Sequence, residues 1–278
     1  MLNRTRRICA VFMLALLLPH EARAQFAINT DVVLASRNVW RGITRTTRPV
    51  VQGAALLAWV PRGWTVTTGV WASFEPFRPE QSDLTQAGAT SRLGETDYWV
   101  EAHTRRGRLD VRVGHIWYDL RGRRTTVGPG SAFETAEVYA VLTYLPTRLS
   151  GVGTGLYWDH DAVDGAFATF DVFRHVPLVQ AGDWIVTFTP RMQAGVSVGQ
   201  AAGDEGDPGY FLDDGLAYVN ATAGLYATQQ KWWPYVSGTV QYNRDRATQL
   251  TRLNGEFTKA KAWLELGISY TAGARPKQ

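Results

Sequence analysis

The chain has 278 residues, 45% of them hydrophobic, with a mean hydropathy of −0.19. This length suits a single domain, and no apolar run after residue 24 approaches the roughly 18 residues of a membrane-spanning helix. Residues 1–24 hold four of the Arg and one Glu out of 29 basic and 25 acidic side chains, so the remainder carries 25 against 24, and a balance of +1 gives nucleic-acid binding no bulk electrostatic support.

The first element is a secretory leader. Arg4, Arg6 and Arg7 supply a positive start, Ile8 to Leu18 is apolar, and Ala22–Arg23–Ala24 offers a small-residue cleavage site before Gln25. Cys9, the one cysteine, lies inside this leader. The expected mature chain, 25–278, therefore has neither disulfide nor thiolate chemistry.

Twelve segments then alternate apolar and polar residues, at 26–36, 48–60, 64–74, 95–104, 108–119, 133–145, 151–160, 165–175, 183–199, 214–227, 232–243 and 258–270. In the ninth, Trp184, Val186, Phe188, Met192, Ala194, Val196 and Val198 oppose Thr187, Thr189, Arg191, Gln193 and Ser197. In the last, Ala262, Leu264, Leu266, Ile268 and Tyr270 oppose Lys261, Trp263, Glu265 and Ser269. A two-residue period puts each set on one face of a strand. Connections alternate too. Pro61–Arg62–Gly63 and Arg105–Arg106–Gly107 are short, while the stretches after Phe74, Leu120 and Gly199 are long and polar. That rhythm predicts an all-β fold, an antiparallel transmembrane β-barrel of twelve strands with short periplasmic turns and longer extracellular loops. Trp59, Trp64, Trp184 and Trp232 beside the short turns, and Trp71, Trp117 and Trp158 near the long loops, suit two aromatic girdles. Pro190 predicts a bulge in the ninth strand, since a closed barrel has no edge to excuse a missing donor.

Ser36–Arg37–Asn38–Val39–Trp40–Arg41–Gly42–Ile43–Thr44, then Pro49–Val50–Val51–Gln52–Gly53, Gly69–Val70–Trp71–Ala72–Ser73 and Glu95–Thr96–Asp97–Tyr98, resemble the TorF family of outer-membrane porins. Glu137–Val138–Tyr139 is similar to that family's later strands, whereas Thr44 stands where the family has Ser. The resemblance is strongest over 26–145. It implies a porin-type barrel and brings no catalytic residues.

The residues themselves suggest little enzymology. His103, His115, His160 and His175 remain after the leader, and none has a Ser two positions on, as a barrel lipid hydrolase would favour. His115 shares a face with Val111, Val113 and Trp117, which marks an interfacial histidine rather than a base. Asp159–His160–Asp161 with Asp164–Gly165 misses a calcium loop by one residue. The acidic runs Asp204–Glu205–Gly206–Asp207 and Asp213–Asp214 read as solvated loops or cation bridges to lipopolysaccharide.

Parity places Asp31, Asp97, Glu101, Asp110, Arg112, Glu137, Asp171, Arg191, Lys261 and Glu265 inside the barrel, lining a pore or forming a network that plugs it. Arg112 and Arg191 should oppose acids including Glu101, Glu137 and Glu265. The loop from Glu75 to Gly94 is the expected constriction. The chain is thus expected to be an outer-membrane channel for small polar solutes or ions in a Gram-negative envelope, with no catalytic, cofactor or metal residues. Its expected partners are lipid, lipopolysaccharide and the barrel assembly machinery. The rival readings are a closed structural barrel, a barrel lipid hydrolase and a soluble β-sandwich. Mass spectrometry of the outer-membrane fraction should find a first residue of Gln25; retention of 1–24 would contradict the leader.

Overall fold

A computed structural model describes residues 26–61, 63–76, 93–120, 134–202, 209–251 and 256–273. The wall is built from β1 (Phe26–Ala35), β4 (Val50–Trp59), β5 (Thr65–Phe74), β6 (Leu93–Arg106), β7 (Leu109–Asp119), β8 (Glu134–Thr147), β9 (Ser150–Asp159), β10 (Gly165–Arg174), β11 (Val176–Ala181), β12 (Trp184–Val198), β13 (Gly215–Thr228), β14 (Trp232–Asn243) and β17 (Ala260–Gly273). Three small elements lie in the long connections. They are the hairpin of β2 (Asn38–Trp40) and β3 (Ile43–Thr46), the helix α1 (Arg246–Gln249), and the pair β15 (Leu250–Thr251) and β16 (Glu256–Phe257).

Every wall strand pairs antiparallel with its neighbours in sequence, and β1 closes the sheet by pairing with β4 on one side and β17 on the other. Both β10 and β11 pair with β12, so the two are halves of one strand and the barrel has twelve. All twelve segments read from alternation are present, with ends moved by a few residues. Short turns and both described termini sit at one end; the long connections sit at the other.

Closure sorts the side chains. Phe26, Ile28, Val32 and Leu34 of β1, Val152, Leu156 and Trp158 of β9, and Leu264, Leu266 and Ile268 of β17 are exposed on the outside, Leu264 at 64%. A wall this apolar is the surface that a bilayer covers. The inner face is polar, and several of its aromatic rings lie flat over glycines. Trp99 covers Gly69, Tyr139 covers Gly114, Phe173 covers Gly151 and Tyr235 covers Gly267, each within 2.6 Å of where a Cβ would stand. Glycine lets these rings fold against the wall instead of standing into the lumen.

Two sequence expectations are corrected. Trp71 pairs with Asp97 and Ala54 on the inner face, so it is not a girdle residue; its parity follows Ser73, not Val70. Pro190 stays in register with Ala223 without a bulge. On its other side the ladder skips from Phe173↔Arg191 to Val176↔Phe188, so the break between β10 and β11 falls where proline lacks a donor. Phe167 and Phe173 both face inward with Thr169 and Asp171.

Leu266 lies near the middle of β17 and is 59% exposed. In a phospholipid bilayer Leu266→Arg should cost about 2–4 kcal/mol in a denaturant titration, the penalty for a basic side chain on the lipid face near the midplane. A change below about 0.5 kcal/mol, the range of surface substitutions, would place Leu266 away from lipid.

Candidate functional site

The β2–β3 hairpin folds inward, into the long-loop half of the lumen, from the connection between β1 and β4. Trp40 pairs with Ile43 across two residues, and both of these, Arg41 (φ 46) and Gly42 (φ 80), are left-handed. That is the type I′ turn whose twist suits a tight hairpin, and a glycine at its second position is the usual solution. A Cβ on Gly42 would also stand 2.5 Å from Tyr218 Cδ1.

The turn delivers Arg41 to the opposite wall. Its Nη1 and Nη2 donate to the two carboxylate oxygens of Glu137 at 2.5 Å each, a fork-on-fork pair with side-chain exposures of 9% and 0%. The guanidinium also lies over the rings of Trp40, Tyr157 and Phe167 at 4.7, 5.0 and 4.8 Å. Tyr118 donates its hydroxyl to Glu137 at 2.8 Å. A buried guanidinium is costly unless paired and hydrogen-bonded. Here the carboxylate and three π-faces meet that cost together.

Other loops complete the plug. Ile43 packs with Phe167, Tyr210, Phe211, Ala217 and Tyr218, so the connection between β12 and β13 enters the lumen as well. Asp159 is the anchor there. It accepts the backbone N–H of Asp161 and Ala162 at 3.0 and 2.9 Å, the Thr135 hydroxyl at 2.7 Å and the Tyr210 hydroxyl. Burial, reinforced by Asp159, holds the Tyr210 phenol well above its ordinary range, so it remains a donor. With its oxygens engaged by protein donors, Asp159 is a structural group rather than a solvated loop residue or a calcium ligand.

Lys261 holds the hairpin to the third connection. Its ammonium donates to the Gly42 carbonyl, to Thr44 Oγ1 at 2.9 Å and to the Thr248 carbonyl at 3.0 Å. Gln241 adds a bond to the Gly42 carbonyl at 3.0 Å. Asp245 caps the short helix through Ala247 N at 2.7 Å and accepts Leu212 N and Asp213 N at 3.1 and 2.9 Å, while burial raises its pKa.

Below the hairpin the inner wall carries charges of both signs, with both arginines about half exposed. Arg112 (48% exposed) lies 3.3 Å from Asp110, which also meets His103 at 2.8 Å. Arg191 (46% exposed) lies 3.4 Å from Asp171. Glu101 accepts the Tyr139 hydroxyl, Glu265 accepts Ser237 and Trp263 Nε1, and Asp31 accepts Ser269.

All ten residues singled out by parity therefore face inward, but they divide. Glu137, Lys261 and Asp97 are buried at the plugged end; Asp31, Glu101, Asp110, Arg112, Asp171, Arg191 and Glu265 belong to the lower lumen. Arg112 and Arg191 pair with neighbours along the wall rather than opposing acids across it, and Glu137 is taken by Arg41. Arg41 itself was missed, because it lies in a connection whose parity says nothing about direction. Residues 77–92 of the expected constriction, and the acidic run 204–207, lie outside the described residues. Among the described residues the 38–46 hairpin and the stretch around Tyr210 and Phe211 turn inward.

Neither a protein-family model nor the sequence of a curated protein matches the chain, so the family resemblance rests on the quoted residues alone. Solved outer-membrane barrels align with it only loosely. A KdgM porin aligns over 88% of this chain and 98% of its own at 9% identity and TM-score 0.45. An outer-membrane channel from Pseudomonas putida F1 aligns over 92% and 100% at 9% identity and TM-score 0.43. LpxR from Salmonella typhimurium aligns over 87% and 99% at 8% identity and TM-score 0.44. These likenesses concern the barrel form, and the functional reading below draws on this chain's own residues.

Glu137→Gln removes one charge of a desolvated pair and strands the Arg41 guanidinium. Thermal or denaturant unfolding should register a loss of about 3–5 kcal/mol. A loss below about 1 kcal/mol, the value of an exposed pair, would mean that water reaches Arg41.

Proposed function

We propose that this protein is an outer-membrane channel for small polar solutes or ions, exported by its cleaved leader, with a mouth narrowed by the 38–46 hairpin. The observation that carries the reading is the half-exposure of Arg112 and Arg191 inside the barrel, below the Arg41 plug. Charges of both signs left in high dielectric suit a wet path, whereas a lumen serving only as a core would desolvate and pair them. Lipid and lipopolysaccharide would meet the apolar outer wall, and the assembly machinery would insert it.

The plug itself favours a second reading, a barrel closed for structural ends. Arg41, Glu137, Lys261 and Asp159 form a satisfied network of the kind that stiffens a small barrel. A barrel lipid hydrolase draws less support. Among the described residues His103 meets Asp110, His115 meets His160 and His175 meets Thr189, with no histidine bonded to a serine.

Planar-bilayer recording separates the first two. Wild type should conduct weakly, and Arg41→Ala should raise single-channel conductance by loosening the hairpin. Arg191→Ala should shift permeability toward cations while changing stability by only about 0–1 kcal/mol, since its pair is exposed. No conductance from wild type or from Arg41→Ala, with a large fall in melting temperature for Arg191→Ala, would overturn the channel in favour of the structural barrel.

A further inference from the structure

Two histidines meet on the outside of the barrel, away from the lumen and its charges. His115 belongs to the outward row of β7, and His160 follows the last residue of β9. Strand β8 runs between them. There Trp117 is level with Ala136, and the His160 N–H donates to the Ala136 carbonyl at 3.2 Å. Ala136 has only a methyl group to put in the gap. The two imidazoles close over it, with His115 Nε2 3.0 Å from His160 Nε2 and the ring centroids 5.2 Å apart.

That approach has few chemical explanations. Two neutral imidazoles can share one proton along the Nε2···Nε2 line, or both lone pairs can turn to one cation. A metal at about 2.0–2.1 Å from each nitrogen, with the nitrogens 3.0 Å apart, subtends an N–metal–N angle of about 91–97°. This is the cis angle of square-planar or octahedral ions, geometries of Cu(II) and Ni(II), both of which accept imidazole. A strictly tetrahedral ion would ask for a wider separation. Coordination through Nε2 leaves the His115 proton on Nδ1, which is buried without a hydrogen-bond partner, a cost that the metal bond has to offset.

The surroundings keep the pair near water. Trp117 lies 3.9 Å from the His115 ring by centroids, and Trp158 lies 6.4 Å from His160 with its Nε1 donating to Asp164 at 3.2 Å. Two exposed indoles toward the long-loop end mark the headgroup zone, where aqueous ions arrive. We propose that His115 and His160 form a transition-metal site on the outer wall, selective for Cu(II) or Ni(II), with water filling the remaining positions.

Cu(II) alone is the probe, added to the mature protein in detergent and in phosphatidylcholine nanodiscs. Bound Cu(II) should quench Trp117 and Trp158, about two elevenths of the tryptophan emission, and give an electron paramagnetic resonance spectrum with two equivalent nitrogens. His115→Ala and His160→Ala should each weaken binding by at least about tenfold, the scale set by losing even an outer-shell partner. Each should also leave a one-nitrogen spectrum. His103→Ala, which removes an imidazole on the lumen side, should change neither. Quenching and a two-nitrogen spectrum that persist in both outer-wall variants would overturn the site, as would wild-type protein that binds no Cu(II), which would leave a proton shared between the rings.

Discussion

Everything in this molecule depends on the sheet having no edge. A strand facing lipid cannot give its backbone N–H and C=O groups to water, so each must find a partner on a neighbouring strand. Strand β1 supplies the last of those partners by pairing with β4 and β17 at once. Closure then makes parity absolute, because a one-residue slip would turn the leucines of β17 inward and its Lys261 and Glu265 into lipid. The break between β10 and β11 is tolerated where it occurs because Pro190 faces it with no donor to lose.

A closed wall of twelve strands encloses an interior whose two ends the chain treats differently. Toward the long connections the inward side chains are buried. The Arg41 guanidinium is held there by Glu137 and three aromatic rings, and Lys261 and Asp159 use their polar atoms on loops that would otherwise lie outside. Toward the short turns, glycines such as Gly69 and Gly114 let Trp99 and Tyr139 lie along the wall, and the arginines stay half in water. The same residue types thus have opposite energetics a few rungs apart. A charge lost above leaves a buried partner, whereas a charge lost below mainly alters the field along the lumen.

The outer wall is not uniform either. It is apolar through its middle and carries Trp117, Trp158, His115 and His160 toward the long-loop end. The small side chain of Ala136 brings the two imidazoles together there, a juxtaposition that depends on strand neighbours and on the direction in which the chain leaves β9.

Much of this was legible in the sequence, for a physical reason. Alternation over ten or more residues has one interpretation when every second residue must meet lipid, so the twelve strands, their order and the inward direction of Asp31, Glu101, Arg191 and the other charges follow from parity alone. The charge balance is likewise a matter of residue count. Parity is silent in connections, and that is where tertiary structure decided. Trp40–Arg41–Gly42–Ile43 stands out as a motif, yet nothing in it says that the hairpin turns into the barrel; that outcome needs Glu137, nearly a hundred residues away, and the ring faces of Tyr157 and Phe167. The same holds for Lys261, whose inward direction is local but whose acceptors lie on two other elements, the distant 38–46 hairpin and the helix α1. Direction across a strand is set by the two nearest residues, whereas the partner of a buried charge is set by the whole closed sheet.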